Sequence, residues 1–307
     1  MPLLEVDDLS VAFASYTGRF KLTKLQVLQG MTLDVNSGEI VAVIGSSGSG
    51  KSLLAHAILG ILPGNASTGG KIRFDGEELT TRRQQALRGK DIALVPQSVG
   101  YLDPLMRVGA QVRSSVRAGD PLGEQRAAFA RYRLAQDVER RYPHQLSGGM
   151  ARRVLVSMAT ISGARLLIAD EPTPGLDPAI VQETVRQLRE LADNGAGILL
   201  ISHDLESVLQ VADRVAVFYA GTTVEVAPAA DFSQDGARLR HPYSRALWRA
   251  LPQNGFEPLH GGQPQPGELP AGCLFAPRCS LATAACGAER PVMRELRNGK
   301  ARCIHAT

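Results

Sequence analysis

Short apolar runs alternate with longer stretches of helical character along most of the chain. These runs are rich in β-branched residues and lack the polar alternation of a half-exposed strand, which is typical of strands buried on both faces. The clearest runs are residues 40–44, 92–95, 166–169, 198–201 and 215–218. This order predicts an α/β fold in which helices cover both faces of a parallel sheet.

Three regions depart from this pattern. The first forty or so residues, and residues 71–75, alternate apolar with polar positions, which predicts a partly exposed antiparallel sheet at the edge of the core. From about residue 102 to residue 142 the pattern becomes helical and charged, which predicts a helical insert. Beyond Pro252 the chain is rich in Gly and Pro, as linkers are, before a segment that holds all four cysteines.

Composition and charge narrow the class of protein. The 307 residues, 44% of them hydrophobic, suffice for one large domain with an appendage. The net charge is +4, but the basic residues are scattered among 30 acidic ones, which favours a solvated surface over nucleic-acid binding. The longest apolar runs fall short of the ~18 residues that a bilayer requires, and the N-terminal segment is acidic where a signal peptide is basic. We therefore expect a cytoplasmic protein.

A glycine-rich loop follows the first apolar run. It fits the pattern G-x-x-x-x-G-K-[ST] between a predicted strand and a predicted helix, which is the context that the phosphate-binding motif requires. Its backbone N–H groups and the helix N-terminus surround a phosphate, the lysine reaches the β- and γ-phosphates, and the last serine binds Mg²⁺. The predicted ATP-binding residues are Gly45, Ser46, Ser47, Gly48, Ser49, Gly50, Lys51 and Ser52.

Two acidic residues follow another apolar run. Asp170 and Glu171 come directly after residues 166–169, at the predicted carboxyl end of a buried strand. Asp170 is the candidate second ligand of Mg²⁺. Because side chains alternate along an extended chain, Glu171 is expected to point differently and to address the attacking water as a general base.

A second glycine-rich helix start completes the pattern. An apolar helix is preceded by Ser147, Gly148 and Gly149. Here too the backbone N–H groups and the positive end of the helix dipole are able to bind a phosphate. With Leu146 and Met150 they resemble the signature sequence of the ABC ATPase family. The resemblance implies a P-loop NTPase fold with a RecA-like parallel-sheet core, an antiparallel β edge subdomain, a helical insert subdomain and a small C-terminal extension. It also implies that two cassettes pair head to tail, so that each signature loop covers the ATP bound to the other chain.

The resemblance extends in order over at least residues 3–226. Phe13 stands where the family places an aromatic residue that stacks on adenine. Gln97 matches the Q-loop glutamine, which contacts Mg²⁺ and the water and faces the membrane subunit. Asp177 lies in a stretch that resembles the D-loop at the dimer interface, and His203 matches the switch histidine that senses the γ-phosphate. The implied catalytic residues are therefore Glu171, His203 and Gln97.

Local stretches resemble the oligopeptide/dipeptide/nickel importer branch of the family, at residues 102–104, 142–145 and 241–244. This implies a nucleotide-binding domain over residues 1–240, with the helical insert at about 100–160, and a C-terminal extension over residues 241–307. It implies an ATP-hydrolysing subunit at the cytoplasmic face of the inner membrane, coupled to uptake of peptides or nickel. The implied partners are a second ABC ATPase subunit, identical or homologous, two membrane permease subunits and an extracytoplasmic substrate-binding protein, without nucleic acid.

The four cysteines are clustered in the C-terminal segment, at Cys273, Cys279, Cys286 and Cys303. In a reducing compartment such a cluster indicates metal binding more than disulfides. The spacing lacks the tight pair of a structural zinc site and also differs from the ferredoxin spacings. We hypothesise a structural [4Fe–4S] cluster, with free or alternately used thiols and zinc as the alternatives.

Two other classes of ABC ATPase remain as alternatives. A soluble enzyme of chromosome maintenance or DNA repair would carry a very long coiled coil between Lys51 and Ser147, which this chain lacks. A non-hydrolysing regulatory cassette would normally lose Glu171 or His203, and both are present.

Overall fold

Strands and helices alternate along the chain in the computed structural model, which describes residues 1–17, 21–46, 48–233 and 235–307. The strands are β1 (Leu4–Thr17), β2 (Lys21–Val35), β3 (Ile40–Gly45), β4 (Ala66–Phe74), β5 (Glu77–Glu78), β6 (Ile92–Val95), β7 (Leu166–Asp170), β8 (Gly197–Ile201), β9 (Arg214–Tyr219), β10 (Thr222–Pro228), β11 (Arg294–Leu296) and β12 (Gly299–Ala301). The helices are α1 (Lys51–Leu59), α2 (Thr81–Leu87), α3 (Val108–Ser114), α4 (Pro121–Arg131), α5 (Gly148–Thr160), α6 (Pro178–Asp193), α7 (Leu205–Leu209), α8 (Pro242–Arg249) and α9 (Ala284–Ala288).

The central sheet has the strand order β11-β12-β10-β9-β3-β8-β7-β6. Its strands β9, β3, β8, β7 and β6 are parallel, and they are the five apolar runs of the sequence. The predicted parallel core is therefore confirmed. The remaining strands, β10, β12 and β11, extend the sheet in antiparallel fashion.

The two faces of this sheet bury different clusters. In β3 the side chains of Ile40, Ala42 and Ile44 pack on one face, with residues of α6, whereas Val41 and Val43 pack on the other, with residues of α1. Alternation of side chains along a strand explains why a continuous apolar run is needed. Full burial of each large aliphatic side chain contributes about 1.5–3 kcal/mol.

A second sheet lies at the edge of this core. Its order is β2-β1-β4-β5, and its neighbouring strands are antiparallel. The inward side chains of β1 and β2, among them Leu4, Leu28 and Leu33, are buried with the α1 side of the core. The antiparallel edge sheet predicted from the first forty residues and residues 71–75 is confirmed.

The helical insert has an apolar cluster of its own. Helices α3, α4 and α5 contribute Val112, Phe129 and Val154 to it, together with Leu102 from the preceding loop. Asp120 caps α4 by accepting a hydrogen bond from Leu122 N, and Pro121 occupies the first turn, where its missing N–H costs nothing. The predicted helical character of residues 102–142 is confirmed.

The C-terminal segment is fastened to the central sheet. Strand β12 pairs with β10. The buried Arg240 donates to Asp231 Oδ2 at 2.8 Å and to the Leu296 carbonyl at 2.7 Å, and Glu225 accepts from the Arg240 backbone at 2.8 Å. The predicted boundary between residues 240 and 241 stays a prediction. None of the helices in the described ranges is both long and apolar enough to cross a membrane.

Candidate ATP-binding and hydrolysis site

A cavity of about 640 Å³ opens where β3, β6, β7 and β8 end. The carboxyl ends of parallel strands meet at one edge of a sheet, so residues far apart in sequence converge there. The residues lining the cavity are Val27, Gly48, Gly50, Lys51, Ser52, Leu53, Gln97, Glu171, Pro174 and His203. Seven of these residues, all but Val27, Leu53 and Pro174, were predicted for nucleotide chemistry.

The loop before α1 depends on glycine at two positions. Gly50 has a φ of +89°, and a Cβ there would lie 2.1 Å from Leu28 Cδ2. A Cβ on Gly45 would lie 2.4 Å from the Phe218 carbonyl oxygen. Gly50 is therefore required by its conformation, and Gly45 by the close approach of the Phe218 backbone. Ser46 and Ser49 belong to the same loop, and Ser47 lies outside the described residues.

Lys51 is 8% exposed and points back into the loop. Its Nζ donates to the Gly45 carbonyl at 2.8 Å and to the Ser46 carbonyl at 3.1 Å. Burial lowers the pKa of Lys51, and the nearby charges of Glu171 and Asp170 oppose that shift. The ammonium is thus held within the loop beside two carboxylates, in the position from which it would meet a phosphate.

Asp170 and Ser52 offer oxygen ligands of the kind that Mg²⁺ takes. Asp170 is 3% exposed, and its Oδ1 has no hydrogen-bond partner in the described chain. Burial raises the pKa of Asp170, and a hydrogen bond with the Ser52 side chain opposes this. A buried, unpaired carboxylate oxygen beside a hydroxyl fits a Mg²⁺ ion that completes its shell with water and phosphate oxygens.

Glu171 and His203 form a pair in the cavity. Glu171 Oε2 lies 2.8 Å from His203 Nδ1, and the Glu171 side chain is 9% exposed against 66% for His203. Glu171 has a φ of +50°, which is uncommon for a residue other than glycine. Gln97 is exposed on the same wall. A carboxylate beside an imidazole is able to accept a proton from a bound water.

The signature residues lie elsewhere on the chain, beside the stretch that contains Asp177. Ser147 caps α5 by accepting from Met150 N at 3.2 Å, and Asp177 caps α6 by accepting from Ile180 N at 3.2 Å. A Cβ on Gly149 would lie 3.5 Å from the Gly175 carbonyl oxygen. Ser147, Gly148 and Gly149 are not among the residues that line the cavity, so their role in nucleotide binding stays a prediction.

Phe13 lies on β1, half-buried against the core, and is not among the cavity-lining residues. Its stacking on adenine stays a prediction. Sequence reasoning missed Val27, Leu53 and Pro174, which line the cavity. Leu53 directly follows the phosphate loop and Pro174 lies three residues after Glu171, so their positions marked them, whereas nothing in the local sequence marks Val27.

The four cysteines are free thiols. Burial raises the pKa of Cys273 and of Cys279, and each of these thiols is close enough to the other cysteines to interact with their charges. Among the residues that the structure describes, however, no group of three or more His, Cys, Asp or Glu side chains is placed to hold a metal ion. The described residues therefore form no coordination shell for the expected [4Fe–4S] cluster, although the thiols share one region.

The C-terminal segment contacts the phosphate loop directly. Ser46 Oγ donates to Gln263 Oε1 at 2.5 Å. Burial raises the pKa of Tyr243, and hydrogen bonding to Ser46 opposes the shift. Tyr243 also packs on Tyr219 and Phe275, with ring centroids 4.5 and 5.4 Å away.

A parallel sheet whose strand ends carry a phosphate loop, Asp170, Glu171 and His203 defines an ATP-binding cassette. The sequence matches the ABC transporter family over residues 28–174 and the oligopeptide/dipeptide transporter C-terminal region over residues 224–286. This chain belongs to the ABC transporter ATP-binding subunits of the oligopeptide/dipeptide branch, and it is an ATP hydrolase.

Relatives cover nearly the whole chain. A putative peptide import ATP-binding protein of Brucella melitensis is 35% identical over 98% of this chain and 94% of its own length. The dipeptide transport ATP-binding protein DppD of Haemophilus influenzae is 35% identical over 99% of this chain and 95% of its own. The oligopeptide transport ATP-binding protein OppD of Mycobacterium tuberculosis is 36% identical over 99% of this chain, which spans 52% of that protein.

Solved structures agree on the fold. An ATP-binding subunit of an ABC transporter superposes with a TM-score of 0.63 at 27% identity, covering 79% of this chain and 97% of that one. The dimeric ATP-binding cassette MJ0796, bound to ADP and Pi, superposes with a TM-score of 0.64 at 21% identity, covering 74% and 98%. The P-loop cassette fold expected from the sequence is confirmed.

Proposed function

We propose that this chain binds and hydrolyses ATP at the cytoplasmic face of the cell membrane to drive peptide import through permease subunits. The observation that carries the proposal is the convergence of Lys51, Ser52, Glu171 and His203 on one cavity, in a chain whose C-terminal region matches that of oligopeptide/dipeptide transporters. Relatives at 35% identity that are named for peptide and dipeptide import favour this function over a soluble ABC ATPase or a regulatory cassette.

The hydrolytic step assigns a role to each residue. Lys51 and the loop N–H groups stabilise the negative charge of the phosphates. Ser52 and Asp170, with Gln97, would hold Mg²⁺, which would neutralise charge on the phosphate oxygens. Glu171 accepts the proton of the attacking water, and His203, at 2.8 Å from its carboxylate, keeps that carboxylate oriented.

Two cassettes are proposed to act together, head to tail. Ser147, Gly148 and Gly149 begin α5 with free backbone N–H groups, which favours an anion at that helix end. Asp177 lies at the same surface, because the neighbouring Gly175 contacts Gly149. The second cassette is a copy of this chain or a homologue.

The permease subunits are proposed to dock beside Gln97. Four apolar side chains between residues 99 and 106 are solvent-exposed, namely Val99 (38%), Tyr101 (52%), Leu105 (87%) and Met106 (39%). An apolar cluster this exposed is costly in a chain that works alone, and it suits a cytoplasmic helix or loop of a membrane subunit. The extracytoplasmic substrate-binding protein completes the proposed importer.

Peptides are the first candidate cargo and nickel the second. The deciding experiment reconstitutes the importer, with its substrate-binding protein, in liposomes and measures ATP hydrolysis with added peptides or with Ni²⁺. Stimulation of ATP hydrolysis by peptides supports the proposal. Stimulation by Ni²⁺ alone would show that nickel, and not peptide, is the cargo. A complex that hydrolyses no ATP would contradict the proposed role.

A [4Fe–4S] cluster on Cys273, Cys279, Cys286 and Cys303 is the finer part of the proposal. It is supported by the gathering of the four thiols in one region, and the thiol arrangement described above does not itself form the ligand shell. Iron and acid-labile sulfide are measured in protein purified anaerobically. Colourless protein without iron would remove the cluster, and a stoichiometric zinc content would replace it.

A further inference from the structure

Arg152 occupies the second turn of α5 and reaches two loops of the hydrolysis site at once. Its Nη1 donates to the Glu171 carbonyl at 2.6 Å, and its Nη2 donates to the Gln97 carbonyl at 2.7 Å. Hydrogen bonds from a guanidinium are charge-assisted and stronger than those between neutral groups. A single side chain thus ties the helix that starts with the signature residues to both loops.

The backbone of Glu171 needs such support. Its φ of +50° is costly for a residue with a Cβ and persists only where neighbours hold it. Three contacts do so, since Glu171 N donates to Ile201 O at 2.9 Å, Oε2 pairs with His203 at 2.8 Å and the carbonyl accepts from Arg152. The contact with Arg152 comes from helix α5, whereas the other two come from β8 and from the residues that directly follow it.

The planar guanidinium is suited to this task. Its rigid fork presents N–H groups in two directions, whereas a lysine is a single point charge and a glutamine has one amide. The neighbouring Arg153 points differently and donates to the Gly149, Tyr132 and Arg133 carbonyls, in the helical insert and its own helix. The link to the hydrolysis site is therefore specific to Arg152.

We propose that Arg152 is a positioning residue that couples the signature end of α5 to Glu171 and Gln97. The proposal rests on the head-to-tail pair described under Proposed function. In that pair α5 begins at the ATP held by the partner, while Glu171 acts on the ATP held by its own chain. Arg152 then connects the two ATP sites, because a shift of α5 moves the guanidinium to which the carbonyl of the strained Glu171 is hydrogen-bonded.

The test compares Arg152→Gln and Arg152→Lys with wild type in the assembled transporter, by steady-state ATP hydrolysis across ATP concentrations. We expect Arg152→Gln to lower kcat about 10-fold or more while KM for ATP changes less than about 2-fold, since an interaction that serves the hydrolytic step alone is lost. The Hill coefficient should fall toward 1. Arg152→Lys keeps the charge and should restore part of kcat.

Arg165→Gln is the matched control, because Arg165 forms an exposed ion pair with Asp75 away from the cavity. It should retain wild-type kinetics. The proposal is overturned if Arg152→Gln keeps the wild-type kcat, if it raises KM alone, or if Arg152→Lys is no better than Arg152→Gln. A wild-type Hill coefficient of 1 would overturn the coupling between sites.

Dimerisation is measured separately, so that failure of the head-to-tail pair is distinguishable. Glu171→Gln protein is examined by gel filtration with and without ATP, together with its partner cassette. An ATP-dependent pair supports the arrangement on which the proposal rests. The absence of a pair would overturn both that arrangement and the coupling, whereas unaltered kinetics of Arg152→Gln in a protein that pairs would overturn the role of Arg152 alone.

Discussion

Residue by residue, the hydrolysis site is a set of opposite charges held close together and out of water. Lys51 is buried beside Asp170 and Glu171, and its ammonium is bonded to loop carbonyls. A triphosphate would offer that ammonium stronger acceptors than neutral carbonyls do. Asp170 keeps one oxygen unpaired in the same place. The site is thus arranged for an anionic ligand with a divalent cation.

Replacing Glu171 by Gln should lower the ATP hydrolysis rate by about 10² or more, because the carboxylate that accepts the proton is lost. The affinity for ATP should stay close to that of wild type, since the amide keeps the size of the side chain. Phosphate release under single-turnover conditions and ATP binding by filtration give the two quantities. A rate near wild type would show that Glu171 is not the base.

Lys51→Ala is the complementary variant. Loss of the lysine side chain removes the positive charge next to the phosphates, so the affinity for ATP should fall. The same binding assay distinguishes it from Glu171→Gln.

Among the elements, α8 carries a titratable group in an unusual place. His241 caps this helix by accepting from Tyr243 N at 3.0 Å, and its side chain is buried. Burial lowers the pKa of His241 to about 3. The folded protein therefore keeps His241 neutral under conditions in which the unfolded chain protonates it.

This difference predicts a loss of stability as the pH falls. Below the ordinary histidine pKa of about 6.5 the unfolded state binds a proton at His241, whereas the folded state binds it only near pH 3. The free energy of unfolding therefore decreases by about 1.4 kcal/mol for each pH unit between these two values. Urea unfolding at pH 7.5 and 5.5 measures it. His241→Asn, which keeps a capping side chain, should lose about 1.4 kcal/mol less between these pH values. Equal losses would contradict the assignment.

On the scale of the whole molecule, the C-terminal segment is bonded to the phosphate loop. Gln263 and Tyr243 bond to Ser46, whose carbonyl accepts from Lys51. Arg278 continues the contact by donating to Tyr219 Oη at 3.3 Å and to the carbonyls of residues 259 and 260. A path of direct contacts thus runs from the cysteine-bearing region to the phosphate loop.

Tyr243→Phe and Gln263→Ala should each raise KM for ATP by about 2- to 10-fold, which is the effect of one hydrogen bond of 0.5–1.5 kcal/mol. The kcat should change little, because neither variant touches Glu171 or His203. Steady-state kinetics separate the two constants. Gln265→Ala, two residues further along the same segment, serves as the control. An unchanged KM in both test variants would show that the contact with Ser46 does not matter for ATP.

The sequence by itself determined the local elements and the residue types of the site. Five apolar runs became the parallel strands, and Lys51, Ser52 and Glu171 reached one cavity, because strand periodicity and the glycine-lysine motif are local patterns. The sequence also predicted the antiparallel edge sheet, but not that the β11–β12 hairpin would extend the central sheet. Short, weakly patterned strands give too little local signal for that pairing.

Only the tertiary structure decided which distant residues meet. Arg152 contacts a residue 19 positions away and another 55 positions away, and Ser46 contacts Gln263 across 217 positions. Such contacts depend on how the elements pack and leave no periodic trace in the chain. The same reason applies to the cysteines, whose clustering in the sequence indicated a shared role, while the described side chains form no coordination shell. The residues that a motif places within one loop can be predicted from the sequence. The contacts by which one loop positions another cannot.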